Sequence, residues 1–418
     1  MNEEKKGISR RNFNKAAAVG ASAFASFGIL TQANAAEKMK IGVVGCGGRG
    51  TGAVMNAIQA NSNIELVAMA DVVEYKVNGS FNRLTKNENI KKNIQVGDNK
   101  FWGLDAYKKV IDRDDLDYVI LATPPGYRPE HFEYVVEKGH NCFCEKPVAT
   151  DATGMRRFMK AAKLSEQKKL HIVAGTQRRH AKNYQETVQL IHDGALGEVV
   201  AGRAYWNGTL PHARDRKEGM TDLEYQLYNW YNFCWICGDN IVEQHVHNLD
   251  IMNWVIGSHP ISVIASGGRA WKSNEEKYGN IWDHFSCDYE YPNGVHVMSF
   301  SRHWNNSYNE VSERIFGSNR DFRGGISNGH DMGSGGGLNA YVQEHKDLQD
   351  SIAGNGKYWN EAMQVAESVF TAIMGRMAAY TGKKYTWEEA LNEDLDLVPD
   401  KMSWDMNLPV RPIPVPGK

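Results

Sequence analysis

The sequence predicts an α/β protein: a doubly wound parallel sheet, followed by an α+β domain built on a large, mostly antiparallel open sheet. Three observations support this. Short apolar runs rich in β-branched residues alternate with helical patterns up to about residue 175. Beyond that point, longer strand-like runs follow one another with fewer helices between them. A glycine-rich turn closes the first strand-like run and opens the first helical one.

Residues 39–45 (MKIGVVG) form an unbroken apolar run, the pattern of a strand buried on both faces. Residues 49–60 are helical in pattern, and residues 64–70 (IELVAMA) give a second strand closed by Asp71. A later strand, residues 118–123, runs into Pro124 and Pro125. A helix over 129–139 follows, then a short strand at 141–144 closed by Glu145-Lys146-Pro147. In the second half, residues 199–205, 261–266, 284–290 and 295–301 read as strands, with Asn293-Gly294 as a hairpin turn between the last two. Residues 333–337 are glycine-rich and read as a loop over a site, and residues 361–380 as one strong helix. Residues 408–418 carry four prolines and read as an extended arm rather than a packed element. These signals place domains at 36–175 and 176–390, with an arm at 391–418.

Residues 1–35 read as a leader. Ser9-Arg10-Arg11-Asn12-Phe13 is a twin-arginine pattern, residues 16–30 are mildly apolar, and Ala33-Asn34-Ala35 is a small-x-small cleavage site. The apolar run is shorter than the ~20 residues of a spanning helix, so no stable membrane anchor is expected. The expectation is export by the twin-arginine machinery and a periplasmic protein cut near Ala35. Forty-eight basic residues against 50 acidic ones leave a net charge of −2, which gives no electrostatic basis for nucleic-acid binding. Six cysteines are present, and buried unpaired thiols are the expectation, Cys234-x-x-Cys237 included.

Gly45-Cys46-Gly47-Gly48-Arg49-Gly50 matches G-x-G-x-x-G in the strand-to-helix setting that gives the motif meaning. Its glycines let the backbone approach a pyrophosphate at a helix N-terminus. Asp71 lies 21 residues beyond Gly50, the spacing of the acid that accepts from an adenosine ribose. A carboxylate there repels a 2′-phosphate, so NAD is expected over NADP. Arg49 is a candidate clamp on the diphosphate.

The GCGGRG turn, the Glu145-Lys146-Pro147 segment and an acid, His and Asp near residues 243–250 together resemble the glucose–fructose oxidoreductase, inositol dehydrogenase and rhizopine-catabolism family (Gfo/Idh/MocA), over residues 39–390. The resemblance implies that Lys146 lies beside the nicotinamide and the reacting hydroxyl. It maps the family's acid-x-x-x-His pair onto Glu243 and His247, although many members carry Asp where this chain has Glu. It also implies a homo-oligomer. Thr123, Pro124, His131, Glu145 and Gln177 are expected around the cofactor.

The residues support that chemistry on their own terms. Glu243, His247 and Asp250 share one face if the segment is an α-helix. Oxidising a secondary alcohol needs a base for the hydroxyl proton, which a histidine titrating near neutrality supplies, while a lysine polarises the forming carbonyl. His245 and His247 point about 200° apart on a helix, so no metal is expected. Gln177-Arg178-Arg179-His180 follows the last strand of the first sheet, in the crevice where ligands bind, and Gln177 or His180 is expected against nicotinamide or sugar. Asp250 and Arg302 are further sugar-binding candidates.

Three functions follow. The first is an NAD-dependent oxidoreductase acting on a sugar or glycoside hydroxyl. The second is a glycosidase that oxidises a ring carbon transiently with bound NAD, as in the distantly similar family 109 glycosidases. This chain has Val242-Glu243-Gln244-His245-Val246-His247 where those enzymes carry a Tyr-Pro-Thr-His-like segment. The third is a non-catalytic sugar or NAD sensor, against which Lys146 and His247 both speak.

Overall fold

Strands β1 (Met39–Val44), β2 (Ile64–Asp71), β3 (Lys100–Trp102), β4 (Tyr118–Leu121), β5 (Asn141–Cys144) and β6 (Ile172–Ala174) form a sheet of order β3-β2-β1-β4-β5-β6. Every pairing in it is parallel. The order reverses between β1 and β4, and that switch point opens a crevice at the carboxyl ends of the strands. These features come from the computed structural model, which describes residues 38–322 and 336–418. The leader and residues 333–335 of the expected glycine loop lie outside the described residues.

Helices α1 (Gly48–Ala60), α2 (Glu74–Thr85), α3 (Ala106–Ile111), α4 (Arg128–Lys138) and α5 (Ala152–Gln167) connect these strands. With helices on both faces, β4 is buried throughout, as its unbroken apolar run requires. Capping sets the helix ends: Asp151 accepts from the Gly154 N–H at 2.7 Å to start α5, and Gly139 ends α4 at φ 82°. Strand β3 escaped the sequence reading because it is three residues long, at the sheet edge, with Trp102 half-exposed.

After α6 (Lys182–His192), the chain builds a second sheet from β7 (Val199–Gly208), β8 (Ser262–Gly268), β9 (His284–Glu290), β10 (His296–His303), β11 (Glu310–Gly317) and β12 (Tyr385–Thr386). Its order is β11-β7-β10-β9-β8-β12, antiparallel except where β7 runs parallel to β10. Asn293 and Gly294 both take positive φ, 66° and 74°, at the β9–β10 turn. Burial alternates strictly along β9, so the sheet has one covered face and one open face. Helices α7 (Asp222–Tyr228), α8 (Val246–Ile256), α9 (Ala340–Ile352) and α10 (Ala362–Thr381) accompany this sheet in sequence, with α8 packed on β7 and α10 on β8 and β9.

Two departures from the linear pattern matter. Helix α9 returns to the first sheet: Leu348 joins the core containing Val43 and Ile120, and the Gln349 amide donates to the Ala57 carbonyl at 3.1 Å. The tail, expected as an extended arm rather than a packed element, has no regular structure and is fastened at a few points. Trp282 Nε1 donates to the Pro414 carbonyl at 3.2 Å, Gln226 to the Leu408 carbonyl at 2.6 Å, and Ile413 joins the main core. Proline removes a donor but keeps its acceptor, so a proline-rich segment can still be fastened from outside. All six cysteines are buried free thiols.

Candidate active site

At the end of β1, Gly45 turns the chain at φ 100°, and a Cβ there would lie 2.5 Å from the Ala122 carbonyl carbon. A Cβ on Gly50 would meet the Gly45 carbonyl oxygen at 1.8 Å. Gly47 and Gly48 have open space where side chains would sit, so the first turn of α1 presents bare backbone. Its leading N–H groups have no intrahelical acceptor and lie at the positive end of the helix. Asp71 ends β2 beside this turn, accepting from the Cys46 N–H at 2.7 Å and the Val73 N–H at 3.1 Å. Free N–H donors for a pyrophosphate and carboxylate lone pairs for a ribose make this donor set fit a dinucleotide.

The turn opens a cleft of about 380 Å³, lined by Gly45, Gly47, Gly48, Arg49 and Asp71, by Thr123, Pro124, Glu145 and Lys146, and by Gln177, Glu243 and His247. Gln177 donates to the Tyr341 hydroxyl at 3.2 Å, while its buried Oε1 has no partner among the described residues. Arg49 does not hang free as a diphosphate clamp. It pairs with the Glu145 carboxylate and, at 2.9 Å, with Glu344, and lies over the Tyr341 ring.

Lys146 Nζ donates to the backbone carbonyl of Glu243 at 2.7 Å and sits 3.8 Å from its carboxylate. Glu243 lies in a π turn, Ile241–His245, that feeds into α8, where the sequence suggested continuous α-helix. Such wide turns recur at functional sites. Burial pushes the Glu243 carboxyl up to about 7, with Lys146 and Arg128 pulling the other way, and its Oε2 has no partner among the described residues. His247 is also buried, its ring stacked against Trp206 at 6.0 Å between centroids. Burial, then the cations Lys146, Arg178 and Arg49, hold the imidazole well below its usual range. This corrects the expectation of a histidine titrating near neutrality: His247 is neutral, and the near-neutral group is Glu243.

Four expected residues lie elsewhere. Asp250 is three residues, or about 60° around α8, from His247. There it accepts from Arg179 Nε at 2.9 Å and Ser368 Oγ at 2.7 Å, so it is taken up in a buried structural network. His180 is 2% exposed and held by Asp347 at 2.6 Å and Glu361 at 3.3 Å. Against burial, those carboxylates push its pKa up to about 10 and make it a buried cation. His131 faces inward from α4, bonded to the Thr123 hydroxyl at 3.2 Å and stacked on Tyr107. Arg302 donates to the Tyr308 carbonyl beside Trp304, off the cleft. His245 is bonded to Ser299 Oγ at 2.7 Å, and among the described residues no cluster is arranged to hold a metal.

Sequence reasoning missed Arg128, Trp206 and Tyr341. Arg128 is 1% exposed and donates to the Leu121 carbonyl at 2.9 Å and to those of Thr123 and Glu145, tying the ends of β4 and β5 together. An arginine before a helix-opening proline carries no sequence mark of such burial.

Residues 39–174 match the family model described as an oxidoreductase family with an NAD-binding Rossmann fold, and residues 184–323 match the GFO/IDH/MocA C-terminal domain. Among curated proteins, a glycosyl hydrolase family 109 protein of Streptomyces coelicolor is 25% identical over 192 residues, covering 46% of this chain and 38% of its own length. An inositol 2-dehydrogenase of Salmonella paratyphi B is 22% identical over 220 residues, covering 52% and 54%. The chain thus spans about half, or less, of the length of these curated relatives. The solved structure of an aldose-aldose oxidoreductase from Caulobacter crescentus, complexed with glycerol, shares the fold at a TM-score of 0.63 and 16% identity, covering 84% of this chain and 99% of that one. With both halves matched in order, the chain belongs to the Gfo/Idh/MocA oxidoreductase family, with an NAD-binding Rossmann fold at its N-terminal side.

Proposed function

We propose that the protein oxidises a secondary hydroxyl of a sugar or glycoside with NAD. The observation that carries this reading is the convergence of Lys146, Glu243 and His247 on the cleft opened by the glycine turn. NAD bound in this cleft would supply a two-electron hydride acceptor for the carbinol carbon. Lys146, fixed by the Glu243 carbonyl, keeps N–H donors for the hydroxyl oxygen and stabilises the charge that builds there as the carbonyl forms. Neutral His247 accepts the hydroxyl proton. Trp206 offers its ring to the apolar face of a sugar. The Asp71 carboxylate favours NAD over NADP.

Glu243 makes the reaction pH-dependent. Above its pKa of about 7 the carboxylate is charged and balances Lys146 and a proton arriving on His247; below it, the group is neutral. The expected result is a fall in kcat/KM as pH drops below about 7, and a Glu243→Gln variant in which that acidic limb is lost. A variant of normal profile would show that Glu243 does not set the limb.

The twin-arginine leader supports an exported enzyme, folded and loaded with NAD before it crosses the membrane. Such a protein has no free NAD to exchange with, so its cofactor must be reoxidised within each cycle, by reduction of a second sugar. The name aldose-aldose oxidoreductase carried by a structural neighbour agrees with such pairing. The match to a family 109 protein supports the second reading, transient oxidation during glycoside cleavage. The open face of the second sheet, where Ile264 and Met298 are exposed in the row of Asp288, supports a homo-oligomer.

The test is turnover of purified protein on a panel of paired sugars and glycosides without added NAD, followed in the reduced-nicotinamide band and by product mass. Product exceeding the bound cofactor is expected. Stoichiometric release of NADH would leave an ordinary dehydrogenase and end the closed cycle.

A further inference from the structure

Trp206 and Gln244 line the cleft, and they also line a second groove of about 450 Å³. This groove runs across the carboxyl ends of β7 and β10 and the start of β11, bringing together Asn207, Thr209, His303, Asn309 and Glu310. Resting on the sugar-oxidising reading above, we propose that the groove holds a second sugar unit, so that the substrate is a neutral glycoside or oligosaccharide of at least two units.

The polar groups of the groove have spare valence. The side-chain amides of Asn207 and Asn309 have no hydrogen-bond partner among the described residues, and each offers two donors and an acceptor. His303 is 1% exposed, and its Nδ1 lacks any partner among the described residues. Burial, helped by Lys272, pushes its pKa down to about 3, so the ring is neutral, with one donor and one acceptor to give. Buried polar groups are normally satisfied, and an orphan beside a groove marks a position that a ligand hydroxyl would fill.

The chemistry of the lining selects the ligand class. No lysine or arginine lines the groove, and its one acid, Glu310, is bonded by Ser312 Oγ at 2.7 Å. A phosphorylated or acidic sugar would find no cation there. Amides, a hydroxyl, a neutral imidazole and an indole suit uncharged hydroxyls over an apolar ring face. Trp206 is the shared wall: it stacks beside His247 in the cleft and borders the groove. The unit being oxidised lies on the Lys146 side of that wall, and its glycosidic neighbour on the other.

The experiment compares kcat/KM for a free hexose and for neutral disaccharides containing that hexose, in the wild type and in Asn309→Ala and Asn207→Ala, with keto-sugar product measured by mass. The disaccharide is expected to be preferred at least about tenfold, the equivalent of about 1.4 kcal/mol. Each substitution should shrink that ratio, chiefly through KM of the disaccharide. Equal kcat/KM for the two substrates in the wild type, or a preference untouched by the double variant, would overturn the second subsite and leave sugar oxidation standing. Absence of keto product from either substrate would overturn the oxidation reading, and the subsite with it.

Discussion

Gly50→Ala is expected to weaken NAD binding at least about 100-fold, or about 2.7 kcal/mol, while the protein stays folded. The new Cβ would stand 1.8 Å from the Gly45 carbonyl oxygen and 3.2 Å from the Ala122 Cβ. The first of these is backbone, so relief must come from moving the turn itself, and overpacking of this kind costs roughly 1–3 kcal/mol even before ligand contacts are lost. The donors of the α1 first turn move with it. Gly52→Ala is the control: its nearest neighbour is Arg49 Nη1 at 3.8 Å, and a mid-helix alanine is expected to be neutral or stabilising by up to about 1 kcal/mol. Titration of NAD by fluorescence, with circular dichroism for the fold, reads both. A Gly50→Ala protein that binds NAD normally would remove the glycine turn from the cofactor site.

Lys146→Ala is expected to lower kcat by about 10²–10⁴-fold with NAD still bound, the range of a general acid–base or oxyanion-stabilising group. The effect exceeds a lost surface charge because this ammonium is tethered at 2.7 Å to the Glu243 carbonyl and is part-buried in the cleft that His247 also lines. Its removal also takes away the cation beside the Glu243 carboxyl, so the acidic limb should move above pH 7. His247→Ala should lose turnover over a similar range without moving that limb. Single-turnover kinetics with the nucleotide content measured beforehand would separate these outcomes from simple loss of cofactor. Near-normal kcat in both variants would place the chemistry elsewhere.

The parts of this site that could be read from sequence are those in which local pattern and global position coincide. A strand run ending in GCGGRG, an acid ending the next strand and EKP after a later one all sit at the carboxyl edge of one sheet, so their order alone places them together. Asp250 failed because its spacing suits the face of His247 but leaves it about 60° away, where Arg179 and Ser368 claim it. His180 failed because its partners, Asp347 and Glu361, come from more than 160 residues away in sequence. The titration of Glu243 and the neutrality of His247 are set by burial, which a pattern of residue types does not contain. Helix α9 was invisible as part of the first sheet's cover because the chain reaches it only after five of the six strands of the second sheet.

Hydride transfer from a sugar carbon to nicotinamide held in this cleft underlies each of these expected results. The most direct measurement is to supply a substrate deuterated at the oxidised carbon, with no second sugar present to take the hydride back, and to examine the bound cofactor by mass spectrometry after this half-reaction. The expected result is one deuterium on the nicotinamide ring, absent in Lys146→Ala. Product formed with its deuterium lost to solvent, or retained throughout while the nicotinamide stays unlabelled, would contradict it.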